Sequence, residues 1–351
     1  MLLRGWAAIG VAALVIVLTC SGALAQDLRQ LPSTFDPPPV PNGQRLDVAI
    51  GLHIINLASI DEVKEQFEID AYLFARWKDP RLAFAASSPG QTRRYTPDEI
   101  WIPKLEMVNA AAPRTRYDTA IFVSPDGTVN YEERCNASLS SKFLLRQFPF
   151  DRQTLIIHIH PFGSEVHEVS FSLNDHKLWM SSELESFSSL AQWDLGAVSP
   201  MIATFRYMDG TITPEIRFGI NVRRRSSFYV WKVFLPLILM VFLSWAALWV
   251  EERDLQTQVT IVVTTILTVI AFAFAISATM PRVPYLTYID AFFLLCYVFV
   301  FFSMVELMVV HVTHRSERQR DLGVRLRHVF RWLLPSAFAA CNLAIALHFL
   351  S

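Results

Sequence analysis

Cysteine is scarce in this sequence, with four among 351 residues. Cys20 lies in an apolar N-terminal segment, and Cys296 and Cys341 lie in the apolar last third, so the polar middle of the chain contains Cys135 alone. One cysteine cannot form a disulfide within that region, which excludes a small fold held together by disulfides. The polar region must instead be stabilised by its own hydrophobic core, and it is long enough to have one.

An excess of charge and the sequence signatures of catalysis are also missing. The net charge is −1, which gives no reason to expect nucleic acid as a partner. The sequence has no glycine-rich phosphate loop, no nucleophile elbow and no cluster of metal-ligating side chains. We therefore predict no catalytic residues, no metal and no cofactor, and we do not expect an enzyme.

Apolar residues are abundant but unevenly distributed. They make up 52% of the chain, and the mean hydropathy of +0.32 is too high for an ordinary soluble domain. At the N-terminus, Arg4 precedes an apolar stretch at 7–18 and the small-residue site Ala23-Leu24-Ala25. This pattern predicts a signal peptide at residues 1–25, with a retained membrane anchor as the alternative.

Residues 26–227 have the pattern of an all-β domain. In the stretch 67–77, apolar residues recur at every second position, as in a strand with one buried face. A turn at 125–127 leads into a similar stretch at 128–134, and Asp209-Gly210 is a hairpin signal. Many short strands separated by turns predict a β-sandwich without long helices.

Four apolar stretches follow, each long enough to cross a hydrocarbon core of about 30 Å as a helix. The loop before the last stretch is rich in arginine and is predicted to be cytoplasmic, which places the sandwich and the C-terminus outside. We thus predict a multi-domain membrane protein in which residues 228–351 form a four-helix transmembrane pore domain. The stretches are 228–250, 259–280, 286–312 and 329–350.

The second stretch contains six residues spaced by 4, 3, 4, 3 and 4 positions, which fall on one face of a helix. In a symmetric ring this stripe would line a pore, with hydroxyl groups at its inner end and apolar rings further out that gate by dewetting. The alternative is that the threonines bond to their own backbone. We expect Val262, Val263, Ile266 and Ile270 on the opposite face. The stripe consists of Thr260, Thr264, Leu267, Ala271, Phe274 and Ala278.

The predicted inner mouth of the pore is acidic. Glu251, Glu252 and Asp254 precede the second helix, and rings of such residues concentrate cations. Arg253 lies among them and Gln256 follows, which makes the mouth less acidic. We predict that monovalent cations permeate.

Taken together, these features resemble the pentameric ligand-gated ion channel (Cys-loop receptor) superfamily, in its bacterial branch. The resemblance covers nearly the whole mature chain. It implies a homopentameric ring, in which this chain binds four identical subunits in the bacterial inner membrane, with the sandwich and the C-terminus in the periplasm. The motifs that carry it are Trp77-Lys78-Asp79-Pro80-Arg81-Leu82, Trp101-Ile102-Pro103, Phe148-Pro149-Phe150-Asp151 with Gln153, the arginine run 223–225, Pro236, and Met280-Pro281-Arg282-Val283-Pro284-Tyr285.

The resemblance also implies a gating interface between the sandwich and the membrane domain. Arg224 is expected to pair with both Asp61 and Asp151 at the base of the sandwich, either as a two-state switch or as a static salt-bridge cluster. The segment Phe148-Pro149-Phe150 is expected to press on the linker between the second and third helices. The linker residues concerned are Pro281, Arg282, Pro284 and Tyr285.

In animal members of the superfamily a disulfide closes the loop that contains Phe148-Pro149-Phe150. Here the matching positions are Ser141 and Leu155. We therefore expect the buried rings, the proline and Asp151 to hold the shape of the loop.

A further implication is an agonist site between neighbouring sandwiches. Similar channels build it from aromatic and polar residues on several loops, and aromatic faces favour amines through cation–π contacts. For Tyr72 and Phe162, packing in the core is the alternative role. The matching positions are Tyr72, Glu106, Glu132, Phe162 and Tyr207.

His158 and His160 alternate on one strand face. They are candidates for a metal pair or a proton sensor, and ordinary hydrogen-bonded surface residues are the alternative. The sequence leaves open whether protons or a small amine-like agonist opens the channel. A non-conducting membrane-anchored sensor is the alternative function, although the cytoplasmic loop at 313–327 is too short for an output domain.

Overall fold

The computed structural model describes residues 38–39, 44–173, 179–180, 190–246, 249, 255–278, 280, 282–314 and 320–350. The predicted signal peptide lies outside these residues, and so do Glu251, Glu252, Asp254 and Pro281. The described chain folds into a β-sandwich followed by four long helices, as the sequence predicts.

The sandwich consists of two sheets of unequal size. Its strands are β1 Leu46–Asp61, β2 Gln66–Lys78, β3 Arg93–Tyr95, β4 Leu105–Met107, β5 Thr115–Val123, β6 Thr128–Ser140, β7 Arg152–Pro161, β8 Val169–Leu173, β9 Trp179–Met180, β10 Trp193–Arg206 and β11 Ile212–Arg224. The larger sheet has the order β3-β5-β6-β2-β1-β8, with β9 paired to β1, and the smaller sheet has the order β10-β11-β7-β4. Strands β8 and β9 run parallel to β1, and the other pairs are antiparallel.

Alternating burial explains why these strands form. In β7, Leu155, Ile157 and Ile159 are fully buried, and they face the same core as Ile216 and Phe218 of β11. Full burial of each such side chain contributes about 1.5–3 kcal/mol, so a slip by one residue would expose the whole set. Within the described part of the sandwich, the single helical segment is a short 3₁₀ turn at Pro80–Leu82.

Four helices are long and apolar enough to cross a membrane, judged by their length and composition. They are α1 Ser227–Ala246, α2 Leu255–Ser277, α3 Tyr288–His314 and α4 Arg320–Leu350. Helix α3 packs against the other three. Helix α4 begins well before the predicted position 329, because its arginine-rich first turns continue the helix beyond the apolar stretch.

Candidate functional site

Arg224, the last residue of β11, lies buried where the sandwich meets α1. Its Nε donates to Oδ1 of Asp151 at 2.8 Å, and its Nη1 donates to Oε1 of Glu62 at 2.6 Å. The rings of Phe148 and Trp193 pack against the guanidinium, with Cζ 4.7 and 4.2 Å from their centroids. We call Arg224, Asp151 and Glu62 the arginine cluster; it ties three separate segments of the sandwich together at its base.

The arginine cluster carries a permanent positive charge at its centre. Burial lowers the pKa of Arg224, but the hydrogen bonds and charges of Asp151 and Glu62 outweigh burial and hold the pKa above its ordinary value. The side chains of Arg224 and Asp151 are each 1% exposed. Removing one partner from such a buried pair leaves an uncompensated charge and costs about 3–5 kcal/mol.

The predicted pairing of Asp61 with Arg224 is not what the structure shows. Asp61 instead accepts a hydrogen bond from the backbone N–H of Lys64 at 2.9 Å and pairs with the Lys64 ammonium at 3.1 Å. Its short side chain is occupied in capping the turn between β1 and β2, and the next residue, Glu62, reaches the arginine. The predicted pairing with Asp151 is present in the structure.

Gln153 closes the loop between β6 and β7. Its Oε1 accepts from the backbone N–H of Leu144 at 3.1 Å, and its Nε2 donates to the Leu144 carbonyl at 3.0 Å and to Oδ2 of Asp151 at 2.6 Å. The two positions that would carry the disulfide make other contacts: Ser141 bonds to Glu65 and Leu155 is paired within β7. The sequence analysis included Gln153 in the Phe148-Pro149-Phe150-Asp151 motif, but it did not predict that Gln153 closes the loop.

The rings of the Phe148-Pro149-Phe150 segment contact the first and third helices. Phe148 lies edge-on to Tyr229 of α1, with centroids 4.8 Å apart. Phe150 lies 6.2 Å from Phe234 of α1 and 5.5 Å from Tyr288 of α3. The bond between Phe148 and Pro149 is cis. The loop therefore presses on the membrane domain, but its rings are inserted between α1 and the start of α3.

The linker between α2 and α3 is contacted by the residues that precede those rings. The backbone N–H of Leu145 donates to the Tyr285 hydroxyl at 3.0 Å, and the N–H of Tyr288 donates to the Arg146 carbonyl at 2.9 Å. Arg282 and Pro284 are exposed. The expectation that the Phe148 and Phe150 rings meet the linker is thus corrected, because the polar backbone of 145–146 occupies that place.

Helix α2 has one buried face and one exposed face. Gln258, Val262, Thr265 and Val269 are buried against the other helices. All six residues of the predicted stripe are exposed in the single chain, with Leu267 61% and Phe274 74% exposed. The predicted opposite face is only partly right, since Val263 and Ile270 are also exposed.

The hydroxyl groups along α2 bond mainly to their own helix. Thr260 donates to the Gln256 carbonyl at 2.8 Å, and Thr268 donates to the Thr264 carbonyl at 2.8 Å. A donated proton leaves the lone pairs of Thr260 free to face a cation, so the alternative role as a backbone-bonded residue and the pore-lining role are compatible. Gln256 is exposed in the first turn of the helix.

The predicted agonist-binding residues form two groups on different sheets. Glu106 lies on β4, Phe162 follows β7, and Tyr207 begins the β10–β11 turn; all three belong to the smaller sheet and are exposed. Tyr72 and Glu132 lie on β2 and β6 of the larger sheet. Such an arrangement fits two half-sites that meet only when sandwiches of neighbouring subunits adjoin.

The larger-sheet half-site borders a small open cavity of about 250 Å³. The ring of Tyr72 stacks at 6.2 Å on Phe74, which together with Glu132 lines the cavity. Arg76 is another lining residue, and it donates to Asn130 at 2.9 Å. The sequence analysis did not single out Phe74 and Arg76. They follow Tyr72 on β2 by two and four positions, so they lie on the same side of the strand.

A second buried ionic group lies on the smaller sheet. Glu215 of β11 is fully buried; its Oε1 is 2.6 Å from Nδ1 of His158 and 3.3 Å from Nε2 of His160, and its Oε2 accepts from Arg217 at 2.6 Å. We call Glu215, His158, His160 and Arg217 the glutamate cluster. Burial raises the pKa of Glu215, but its hydrogen bonds to Arg217, His158 and His160 outweigh burial and lower the pKa to about 2.

His158 and His160 are therefore drawn to one carboxylate, a role that the sequence could not reveal because Glu215 lies far along the chain. Within the part of the chain that the structure describes, no group of three or more histidine, cysteine, aspartate or glutamate side chains is placed to hold a metal ion. The metal-pair interpretation of the two histidines thus gains no support.

A β-sandwich whose base contacts a four-helix membrane domain through the rings of Phe148 and Phe150, with one helix presenting an exposed stripe, defines a membrane receptor of the gated-channel class. Two family models match the chain: the ligand binding domain of neurotransmitter-gated ion channels at residues 24–226, and the transmembrane region of neurotransmitter-gated ion channels at residues 233–344. The chain belongs to the neurotransmitter-gated ion-channel family.

Individual relatives agree with this assignment. A proton-gated ion channel of Gloeobacter violaceus is 29% identical over 315 residues, which cover 89% of this chain and 86% of the relative. The human gamma-aminobutyric acid receptor subunit rho-2 is 28% identical over 316 residues, which cover 85% of this chain and 66% of the relative. The protein is thus a gated pentameric ion channel rather than an enzyme, and the predicted family and fold are confirmed.

Proposed function

We propose that this protein is a cation channel of the bacterial inner membrane, opened by a small amine or by protons. The observation that carries the proposal is the division of α2 into a buried face and an exposed stripe. A stripe with two threonines at one end and apolar rings further along suits a helix that faces a water-filled pore.

In the proposed pore, Thr260 and Thr264 present oxygen rings, and Leu267, Ala271, Phe274 and Ala278 line the outer part. Leu267 and Phe274 narrow the pore with apolar rings, which oppose ion passage by dewetting. Glu251, Glu252, Asp254 and Gln256 form the inner mouth, and the three carboxylates raise the local concentration of cations. The acidic mouth is the basis for proposing cation selectivity.

The proposed agonist site lies between neighbouring sandwiches. Glu106, Phe162 and Tyr207 of one subunit would face Tyr72 and Glu132 of the next. The carboxylates and aromatic faces favour a positively charged amine. Support comes from the exposure of Glu106, Phe162 and Tyr207 in the single chain and from the cavity beside Glu132, since Tyr72 and Glu132 are half-buried.

The proposed path from agonist site to pore runs down the sandwich to the arginine cluster. Movement of Asp151 would be transmitted by Phe150 to α1 and α3, and by Leu145 to Tyr285 before α3. Asp61, Phe148, Pro149, Arg224, Pro281, Arg282 and Pro284 complete the proposed gating interface. Residues 1–25 would be the removed leader, 26–227 the periplasmic sandwich and 228–351 the pore domain, with the C-terminus in the periplasm.

Current across a planar bilayer tests the proposal. Purified pentamers should conduct when the pH is lowered on the sandwich side or when simple monoamines are added there. In a KCl gradient, the reversal potential should lie near that of potassium. Silence under all of these conditions would contradict the proposed gating, and reversal near the chloride potential would contradict cation selectivity.

Substitution in the stripe tests the pore assignment. Leu267→Ala should open at lower stimulus, because it removes an apolar ring that stabilises the closed, dewetted pore. Leu294→Ala is the matched control, since Leu294 is 54% exposed on α3, away from the proposed pore. Equal dose–response curves for the two variants would show that Leu267 does not line the pore.

A further inference from the structure

His160 is buried on the side of the smaller sheet that faces away from the core. Ile157 and Ile159 occupy the core side of β7, so His160 lies on the opposite side. It is nevertheless only 2% exposed, because the rings of Phe205 and Tyr207 cover it at 5.0 and 6.5 Å. Among the described residues, Nδ1 of His160 has no hydrogen-bond partner, and Nε2 has no well-aligned one, since its contact with Oε1 of Glu215 is at 3.3 Å.

Leaving a buried polar nitrogen unpaired is unfavourable, because the nitrogen loses its hydrogen bonds to water without gaining others. An apolar residue of similar size would fill this position without that cost. The histidine therefore brings a property that an apolar residue lacks, and the property specific to imidazole is proton uptake near neutral pH.

The groups around His160 provide an anionic setting for such a proton. Glu215 and Arg217 face it from β11, His158 from β7, and Tyr207 from the β10–β11 turn. Glu106 of β4 is its direct neighbour in register. The two carboxyl groups of Glu215 and Glu106 outnumber the one guanidinium of Arg217, so a positive charge on His160 would be stabilised there.

We propose that His160 is a proton-binding site that links acidification to the position of the β10–β11 hairpin, which carries Tyr207. The link to channel opening rests on the proposed agonist site, whereas proton binding and hairpin movement do not. The proton adds to a ring nitrogen of His160, and the imidazolium forms a charge-assisted contact with Glu215, 3.3 Å away.

The direction of the link follows from burial. Burial under Phe205 and Tyr207 lowers the pKa of His160, and the hydrogen bond and charge of Glu215 only partly oppose this effect. A conformation in which the hairpin lies further from His160 exposes the imidazole to water and raises its proton affinity. By linkage, acid favours the displaced hairpin.

A fluorophore on the hairpin tests the proposal in the full-length pentamer. Met208 lies fully exposed at the turn, so Met208→Cys accepts an environment-sensitive label. Exposed Cys341 is replaced by serine in all variants, and Cys135 and Cys296 are buried. Emission is followed from about pH 7.5 to about pH 4.5, a range that brackets histidine titration.

The parent protein should show an emission change whose midpoint lies below the ordinary pKa of histidine. His160→Gln should abolish the change. His167→Gln is the matched control and should retain it, because His167 is exposed and pairs only with the exposed Glu165 at 3.3 Å. Glu215→Gln should move the midpoint to lower pH, because it removes the anion that stabilises the imidazolium.

An unchanged transition in His160→Gln, or an unshifted midpoint in Glu215→Gln, would overturn the proposal. The Glu215→Gln arm decides the matter even if His160→Gln fails to assemble. Parallel bilayer recordings separate the two proposals: a hairpin transition without current would contradict the channel gating alone, and acid-evoked current with a fixed hairpin would contradict the role of His160 alone.

Discussion

The arginine cluster and the glutamate cluster have opposite arrangements of charge. At the base of the sandwich, one buried cation is held by two carboxylates, Asp151 and Glu62. Higher in the smaller sheet, one buried carboxylate, Glu215, is held by Arg217 and approached by two histidines. The arginine cluster contains no histidine, whereas the glutamate cluster contains two, and histidine is the side chain whose ordinary pKa lies closest to neutral pH.

The difference teaches where each kind of cluster is useful. A cluster centred on a guanidinium suits the base of the sandwich, where Arg224 packs on Phe148 and Phe148 packs on α1. A cluster with histidines suits the hairpin region, where its strength depends on pH. Both are buried, so the contrast lies in the partners rather than in exposure.

The largest expected effect is at the base. Arg224→Ala should lower the free energy of unfolding of the sandwich by about 3–5 kcal/mol, because it leaves Asp151 buried without its cation. Arg223→Ala is the matched control, since Arg223 is the exposed neighbour. Denaturant titration of the purified protein measures both; similar losses would show that Arg224 is not the centre of the base.

Gln153→Ala should have the next largest effect. It removes three hydrogen bonds that close the loop, and leaving the buried carboxylate of Asp151 less satisfied costs about 1–3 kcal/mol. The same titration measures the loss. Thr154→Ala, next in sequence but exposed in its contact with Asn221, should change stability little; a larger effect there would refute the closing role of Gln153.

Acid should weaken the glutamate cluster specifically. Because the pKa of Glu215 is about 2 in the folded protein and its ordinary value is 4.5, Glu215 contributes stability above pH 4.5 that is lost as the pH falls towards 2. Glu215→Gln should therefore be less stable than the parent at neutral pH and approach it near the acid end of that window. Thermal unfolding at several pH values measures the difference; a gap that stays constant would contradict the assignment.

The smallest effect is expected for Asp61→Asn. Its pair with Lys64 is exposed, and such pairs contribute about 0.2–1 kcal/mol. Glu62→Gln should cost more, because it removes a carboxylate from buried Arg224. If unfolding measurements reverse that order, Asp61 is the true partner of Arg224 in solution.

Local patterns were enough to predict the strands, the spans and the stripe. The alternation in β7 and the spacing of Thr260 to Ala278 depend only on neighbouring residues; burial follows the alternation in β7, whereas on α2 Val263 and Ile270 are exposed as well as the stripe. The family motifs added the pairing of Arg224 with Asp151.

The partners that sequence reasoning missed are all distant in the chain. Glu62 lies 162 residues from Arg224, and Glu215 lies 57 residues from His158. Whether Arg224 pairs with Glu62 or with Asp61 depends on which of the two carboxylates already bonds within the β1–β2 turn. Sequence periodicity does not show this. The position of Phe150 between α1 and α3 likewise depends on how two domains dock.

The loop closure by Gln153 has a consequence for biosynthesis. A disulfide must be formed by an oxidant and can be broken by a reductant, whereas the contacts of Gln153 with Leu144 and Asp151 form as soon as the strands pair. Closing this loop therefore needs no thiol oxidase or disulfide isomerase. Because no disulfide holds this loop, its shape does not depend on the redox potential of its surroundings.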